Sequence, residues 1–277
     1  MLKKIKNSEY SVVGIVVAVL LIGLMVSVVS LLQMVYVPRW MEQREAEHMD
    51  EVDAQFSQLK FALDTQSFTG QLNIPIATSI TLGSKELPYL MSVRAFGQLE
   101  ILSDSFKLSF VNATDTYEYS FGTIEYSSSN AYYLDQTFIY EAGAIIISQQ
   151  DGNMISIKPS FFVNDVGGNE NISINIPNIK AIGGKTTGSG YGTSAIQTIY
   201  TGFNNVILHD ISHTYIETSY ANAWKIYFDW LLKNVLDSTD YLISVNNNQL
   251  IIQFFNSPDI DLTIVNINAQ IGAGWIE

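Results

Sequence analysis

The sequence contains no cysteine, which excludes a disulfide framework, a thiolate metal site and catalysis by a cysteine nucleophile. Basic residues are scarce: 14 Lys and Arg stand against 27 Asp and Glu, a formal charge of −13. Lys3, Lys4 and Lys6 all lie in the leading segment, so the remainder is more acidic still. An acidic body repels phosphate backbones and lacks the basic stripe that nucleic-acid binding needs, which sets nucleic acid aside as a partner. Proline is also rare, at 6 in 277 residues, and no proline-rich linker or internal repeat divides the chain. What is plentiful is apolar surface: 47% of the residues are hydrophobic, enough to bury a sizeable core.

One stretch lacks charge altogether, from Tyr10 to Val37. Its apolar part, about 26 residues, spans roughly 39 Å as a helix, against roughly 30 Å of bilayer hydrocarbon. The apolar core of a secretory signal peptide is only about 7 to 15 residues long and ends in a small-residue cleavage site. Residues Gln33 to Pro38 offer no such site. Three lysines precede the run and Glu42, Glu45, Glu47 and Asp50 follow it, so the positive-inside rule keeps residues 1–9 in the cytoplasm as a basic leader. Residues 10–37 then form a transmembrane or filament-core helix, with Tyr36 and Trp40 as interfacial anchors and the remainder outside the cell.

Residues 38–64 read as an amphipathic helical stalk. Met49, Val52, Phe56, Leu59 and Leu63 recur at alternating intervals of three and four, which places them on one helical face. Pro38 predicts a kink or break at the start of the stalk. The apolar seam requires a partner, either the chain's own β domain or a neighbouring copy of the helix. Two heptads are short for a sustained coiled coil, which favours the chain's own domain.

From residue 65 to 277 the texture changes to short β-prone segments divided by polar turns. Phe106 to Val111, Ala144 to Gln149, Met154 to Pro159 and Ile172 to Ile176 are predicted strands, and Asn246-Asn247-Asn248 predicts a hairpin turn. The last strand alternates through Ile260, Leu262 and Ile264, then shifts phase to Val265, Ile267, Ala269 and Ile271, which predicts a bulge near Ile264. A helix over residues 220–235, capped by Thr218 or Ser219, covers the core. The fold class is α+β: a long N-terminal helix, then a β-sandwich or partly closed antiparallel β-barrel with one packed helix.

No residue set makes a convincing catalytic centre, and neither an enzyme nor a cofactor is expected. His209, His213 and Glu217 are weak candidates for a metal, since two histidines and a carboxylate can hold one. In an extended strand, however, positions four apart lie about 13 Å apart. Gly183-Gly184-Lys185-Thr186 has the end of a phosphate loop, but Ile179 stands where that loop needs its first glycine, so residues 183–192 are expected as a surface loop. No Gly-Xaa-Ser-Xaa-Gly elbow supports a serine nucleophile. Asp259 with Asp261, and Asp237 with Asp240, are expected as solvated turn residues. Asn112-Ala113-Thr114 and Asn171-Ile172-Ser173 match the N-glycosylation acceptor pattern, making glycans candidate attachments at Asn112 and Asn171.

The opening Lys3-Lys4-Ile5-Lys6, the apolar helix beginning Ser11-Val12-Val13-Gly14-Ile15 and the acidic helical continuation from Glu42 to Leu63 resemble archaeal type IV pilin-like surface proteins, the group that includes archaellins. Tyr140-Glu141-Ala142-Gly143, the helix over 224–234 and a terminal strand ending near Ile271-Gly272 extend the resemblance more faintly. It implies that a prepilin peptidase removes the leader between Lys6 and Tyr10, that the apolar helices then pack with copies of the chain or other pilins as a filament core, and that the β domains face outward. Asn7 follows Lys6 where that pattern has a small residue. The function expected is thus that of a pilin-like structural or adhesive surface protein. The alternative is a monomeric membrane-tethered module that binds a carbohydrate or a surface partner, with aromatics among its 15 tyrosines as stacking platforms.

Overall fold

A computed structural model describes residues 2–87, 94–166 and 169–272, without the side chains of 2–12, 165, 166 and 169. The uncharged N-terminal run forms α1 (Leu2–Leu31), which passes through a π-helical turn (Leu32–Tyr36) into α2 (Val37–Thr69). Pro38 has no N–H to continue the ladder, and its ring crowds the carbonyl one turn back. The wider turn absorbs this misfit: Val37 N–H bonds to the Leu32 carbonyl, five residues back. The kink or break expected at Pro38 therefore takes the form of this π turn, and helical structure continues through it. The helix outlasts the expected end near Asp64 and stops at Gly70, whose left-handed φ of 59° suits glycine and whose N–H bonds to the Gln66 carbonyl.

The strands are β1 (Pro75–Thr81), β2 (Phe96–Val111), β3 (Thr116–Ser129), β4 (Thr137–Glu141), β5 (Ala144–Gln149), β6 (Gly152–Ile157), β7 (Phe161–Val166) and β8 (Asn169–Ala181). They continue with β9 (Thr187–Gly190), β10 (Thr193–Leu208), β11 (His213–Glu217), then helix α3 (Ala221–Lys233), β12 (Tyr241–Asn246), β13 (Gln249–Phe254) and β14 (Asp259–Ile271). One sheet has the order β1-β10-β14-β8-β7; the other runs β12-β13-β11-β2-β3-β4-β5-β6, with β9 also on β2. Among the described residues the ladders are antiparallel apart from β14 with β8, which run parallel within the α+β fold expected. Everything between β8 and β14 serves as the crossover that parallel neighbours need.

Two cores result. The first surrounds α3, where Trp224 is fully buried with its ring centroid 5.5 Å from that of Phe106 and 5.9 Å from that of Phe161. The second surrounds α2, whose seam residues Met49, Val52, Phe56, Leu59 and Leu63 pack on both sheets. The seam is thus covered by the chain's own domain.

The phase shift of the last strand is explained by these two cores. Ile260, Leu262 and Ile264 belong to the first core, whereas Val265, Ile267, Ala269 and Ile271 belong to the second. Neighbouring residues on a strand point to opposite faces. The ladder of β14 with β8 runs unbroken past Ile264 and Val265, so β14 faces one core with one side and the other core with the other. Its neighbour β8 does the same, with Ile172, Ile174 and Ile176 in the first core and Ile179 in the second. The expected bulge near Ile264 is replaced by this change of face; the register shift in this sheet lies on β10, between Tyr200 and Gly202.

Where the sheets approach each other, Gly122 of β3 lies against the Ile179 carbonyl of β8, and an added Cβ would sit inside van der Waals contact of that oxygen. Because the obstacle is backbone on both sides, it cannot swing away. Gly122→Ala is expected to destabilise the domain by about 1–3 kcal/mol or more. Gly152→Ala, with open space around its Cβ position, is expected to stay near wild type in a urea denaturation midpoint. Equal midpoints for the two variants would contradict the close approach.

Three smaller expectations change. The glycine-rich segment expected as a loop pairs with β2 as β9. Helix α3 is not capped by Thr218 or Ser219; Asn153 Oδ1, at the start of β6, accepts the Ala223 N–H at 3.0 Å instead. Asp259 and Asp261 lie within β14 rather than in a turn.

Candidate functional site

The most exposed apolar surface is helical. Every residue from Val13 to Leu31 is exposed, and Ile15, Leu20 and Leu24 keep 62%, 68% and 62% of their surface. Helical structure from Val13 to Thr69 is long and apolar enough at its N-terminal end to cross a membrane. A single N-terminal apolar helix of this kind is compatible with membrane anchoring. Tyr36 and Trp40, ring centroids 5.9 Å apart, lie at the C-terminal end of the apolar run.

No linker separates this helix from the domain. Val37, the last residue of the apolar run, and Met41 are already buried. One turn further on, the carboxylate of Glu45 is wholly enclosed and accepts the backbone N–H groups of Ala131, Tyr132 and Tyr133 at 3.0, 2.7 and 2.7 Å. Charge-assisted bonds of this kind are about twice as strong as neutral ones, and they clamp the β3–β4 loop to the helix. His48 lies at 3.0 Å from the Tyr126 hydroxyl, which donates to the Leu82 carbonyl at 2.8 Å. Burial lowers the pKa of His48, although the Leu82 backbone and the Glu51 and Glu45 carboxylates pull the other way. The helix that carries the apolar run is thus packed against the β domain from Val37 onward.

A second feature is a cleft of about 410 Å³ where the last turns of α2 reach β8, lined by Asp64, Ser67, Phe68, Gly143, Ser160 and Asn175. Phe68 is 93% exposed. The Oδ1 atom of Asn175 is enclosed, with no hydrogen-bond partner among the described residues.

A family model for a family of unknown function, DUF7289, matches residues 11–241, joining the apolar helix to most of the β domain. The chain belongs to the DUF7289 family. A comparison with curated proteins and one with solved structures each find no match.

The metal candidates of this family member do not meet. His209 follows β10 and its Nδ1 lies 3.0 Å from Asp259 Oδ2. His213 opens β11, with Nδ1 at 3.1 Å from Ser212 Oγ and its ring stacked on Tyr215. Glu217 ends the same strand, 3.6 Å from Lys107. An extended backbone separates His213 from Glu217 by about 13 Å, too far for one ion. Among the described residues no group of three or more His, Cys, Asp or Glu is placed to hold a metal. Asn112 sits in the β2–β3 turn, its Oδ1 accepting the N–H groups of Thr114 and Asp115 at 3.0 and 2.7 Å. Asn171 is exposed on β8, between Asn164 of β7 and Asp259 of β14.

Sequence reasoning missed Glu45 and Glu141. Glu45 lies four residues after Met41 and four before Met49, so a lone carboxylate on an apolar stripe was its signal. Glu141 is buried beside Trp224, and nothing local marked it. The cleft joins residues more than a hundred positions apart and left no sequence trace.

Proposed function

We propose that this protein is a pilin-like structural or adhesive protein of the cell surface, held through its N-terminal apolar helix with the β domain outside the cell. The observation that carries the reading is the direct continuation of a fully exposed apolar helix into a helix packed on the domain and held there by Glu45. A helix that works only as a tether has no need of the Glu45 clamp. A helix that must set the position of its domain relative to neighbours does, because a slack joint would let each domain turn independently. The resemblance of the first 63 residues to archaeal pilin-like proteins supports the same reading. The chain would work by packing and surface contact rather than by chemistry.

N-terminal sequencing of protein recovered from cells tests the proposal. A chain beginning after Lys6, found in shed filaments, is the expected result. Intact Met1 in protein confined to membranes would remove the filament and leave a membrane-tethered module.

A further inference from the structure

We propose that the cleft beside Phe68 is a binding site for a neutral saccharide. The inference rests on the adhesive side of the reading above and names the ligand class. Its floor lies at the point where β8 changes face. Asn175 and Pro177 share one side of β8 with Ile179, which enters the second core, and they line the cleft beneath the end of α2. Past Val265 this side of β14 is apolar and lies in the core around α2; before it, the same side carries Asp259, Asp261 and Thr263. Asn205 of β10 joins this row through its Nδ2, which donates to Asp261 Oδ1 at 2.6 Å and to Thr263 Oγ1 at 3.0 Å. Asn175 pairs with Thr263, so this polar row continues from the cleft floor along the same face of the sheet.

The chemistry suits a polyhydroxyl ligand. Asn175 lines the floor, and its Oδ1 has no hydrogen-bond partner among the described residues. Asp64 accepts from Lys60 at 2.8 Å through one oxygen and presents acceptors to the cleft. Ser67 donates to the Leu63 carbonyl at 2.8 Å, which leaves its oxygen lone pairs to accept. Phe68 holds an almost bare ring beside these groups, a platform for the C–H face of a sugar ring. The volume falls within the roughly 300–1,000 Å³ of small-molecule sites. The carboxylate of Asp64 and the chain's net charge of −13 disfavour phosphorylated, sulfated or sialylated ligands.

The test is calorimetric titration of the full chain in detergent micelles, made in a host that attaches no N-glycans. The probes are neutral hexose and N-acetylhexosamine oligomers, with a sulfated oligosaccharide as the anionic comparison. Millimolar or tighter binding of at least one neutral oligomer is expected, weakened about tenfold, or ~1.4 kcal/mol, by Phe68→Ala and by Asn175→Ala. Phe68 is exposed and its removal spares the core, so loss of binding in that variant reports on the site. Met154→Ala, on a separate apolar groove beside α3, is expected to bind as wild type. No heat from any neutral oligomer at about 10 mM, preference for the anionic one, or binding that survives both cleft substitutions would overturn the proposal. None of these outcomes bears on how the N-terminus is processed, so the saccharide site and the filament stand or fall separately.

Discussion

Phe56→Ala is expected to remove about 3–5 kcal/mol of stability, the usual range for deleting a fully buried phenyl ring. Phe56 has no exposed surface, and its ring lies 5.8 Å from that of Phe138, at the joint between α2 and the larger sheet. A domain with ~5–15 kcal/mol in all would lose a large share of its margin, and the second core would loosen first. Phe61 is the internal control: the same residue type on the same helix, five positions on, but 74% exposed. Phe61→Ala is expected to stay within about 0.5 kcal/mol of wild type. Urea unfolding in micelles followed by near-ultraviolet circular dichroism, with limited proteolysis of α2, separates the two. If both variants behave alike, α2 is not docked on the domain in solution.

The second large effect is one of pH. Glu141 is buried, with Thr218 Oγ1 at 2.8 and 2.9 Å from its two oxygens and the Trp224 Nε1–H donating at 2.6 Å. Burial pushes its pKa up to about 7; the bonds from Trp224 and Thr218 pull it down, and the nearby Glu125 carboxylate adds to the rise. The unfolded chain releases this proton near the ordinary glutamate value of 4.5. Between pH 4.5 and 7 the folded state holds a proton that the unfolded state has lost, so stability falls as pH rises through that window and stays low above it. At about 1.4 kcal/mol per unit, the difference amounts to roughly 3 kcal/mol. His48 acts in the opposite sense, because its lowered pKa favours folding as pH rises toward 6.5. Comparison with Glu141→Gln isolates the carboxyl, since glutamine keeps an acceptor and carries no charge. Relative to wild type, the variant is expected to gain stability steadily from pH 4.5 to 7. A gap independent of pH in chemical denaturation would show that Glu141 does not titrate in this range.

Local patterns carried much of the fold. The spacing of Met49, Val52, Phe56, Leu59 and Leu63 marked a buried helical face because a helix repeats within a few residues, and the tertiary structure only selected its partner. Ala144–Gln149 is the strand that alternation and turn residues predicted, since both ends carry their own signals. The phase shift at Ile264 was also visible, but its meaning was not. A bulge and a strand that faces two cores leave the same pattern in one chain, and only the neighbour β8, changing face at the paired residue, distinguishes them.

The candidate site was far less legible. His209, His213 and Glu217 have a spacing that suits a metal on a helix, yet Asp210 takes a positive φ of 55° and β11 is extended, which parts them. Asn175, Ser160 and Phe68 belong to three segments that meet only when α2 lies along the face of β8. By itself, the sequence determined that about 26 uncharged apolar residues need surroundings other than water, since the cost of exposing them depends on composition alone. Only the tertiary structure decided that this helix is locked to its domain through Glu45, because three backbone N–H groups from a distant loop must converge on one carboxylate, and convergence in space has no period along the chain.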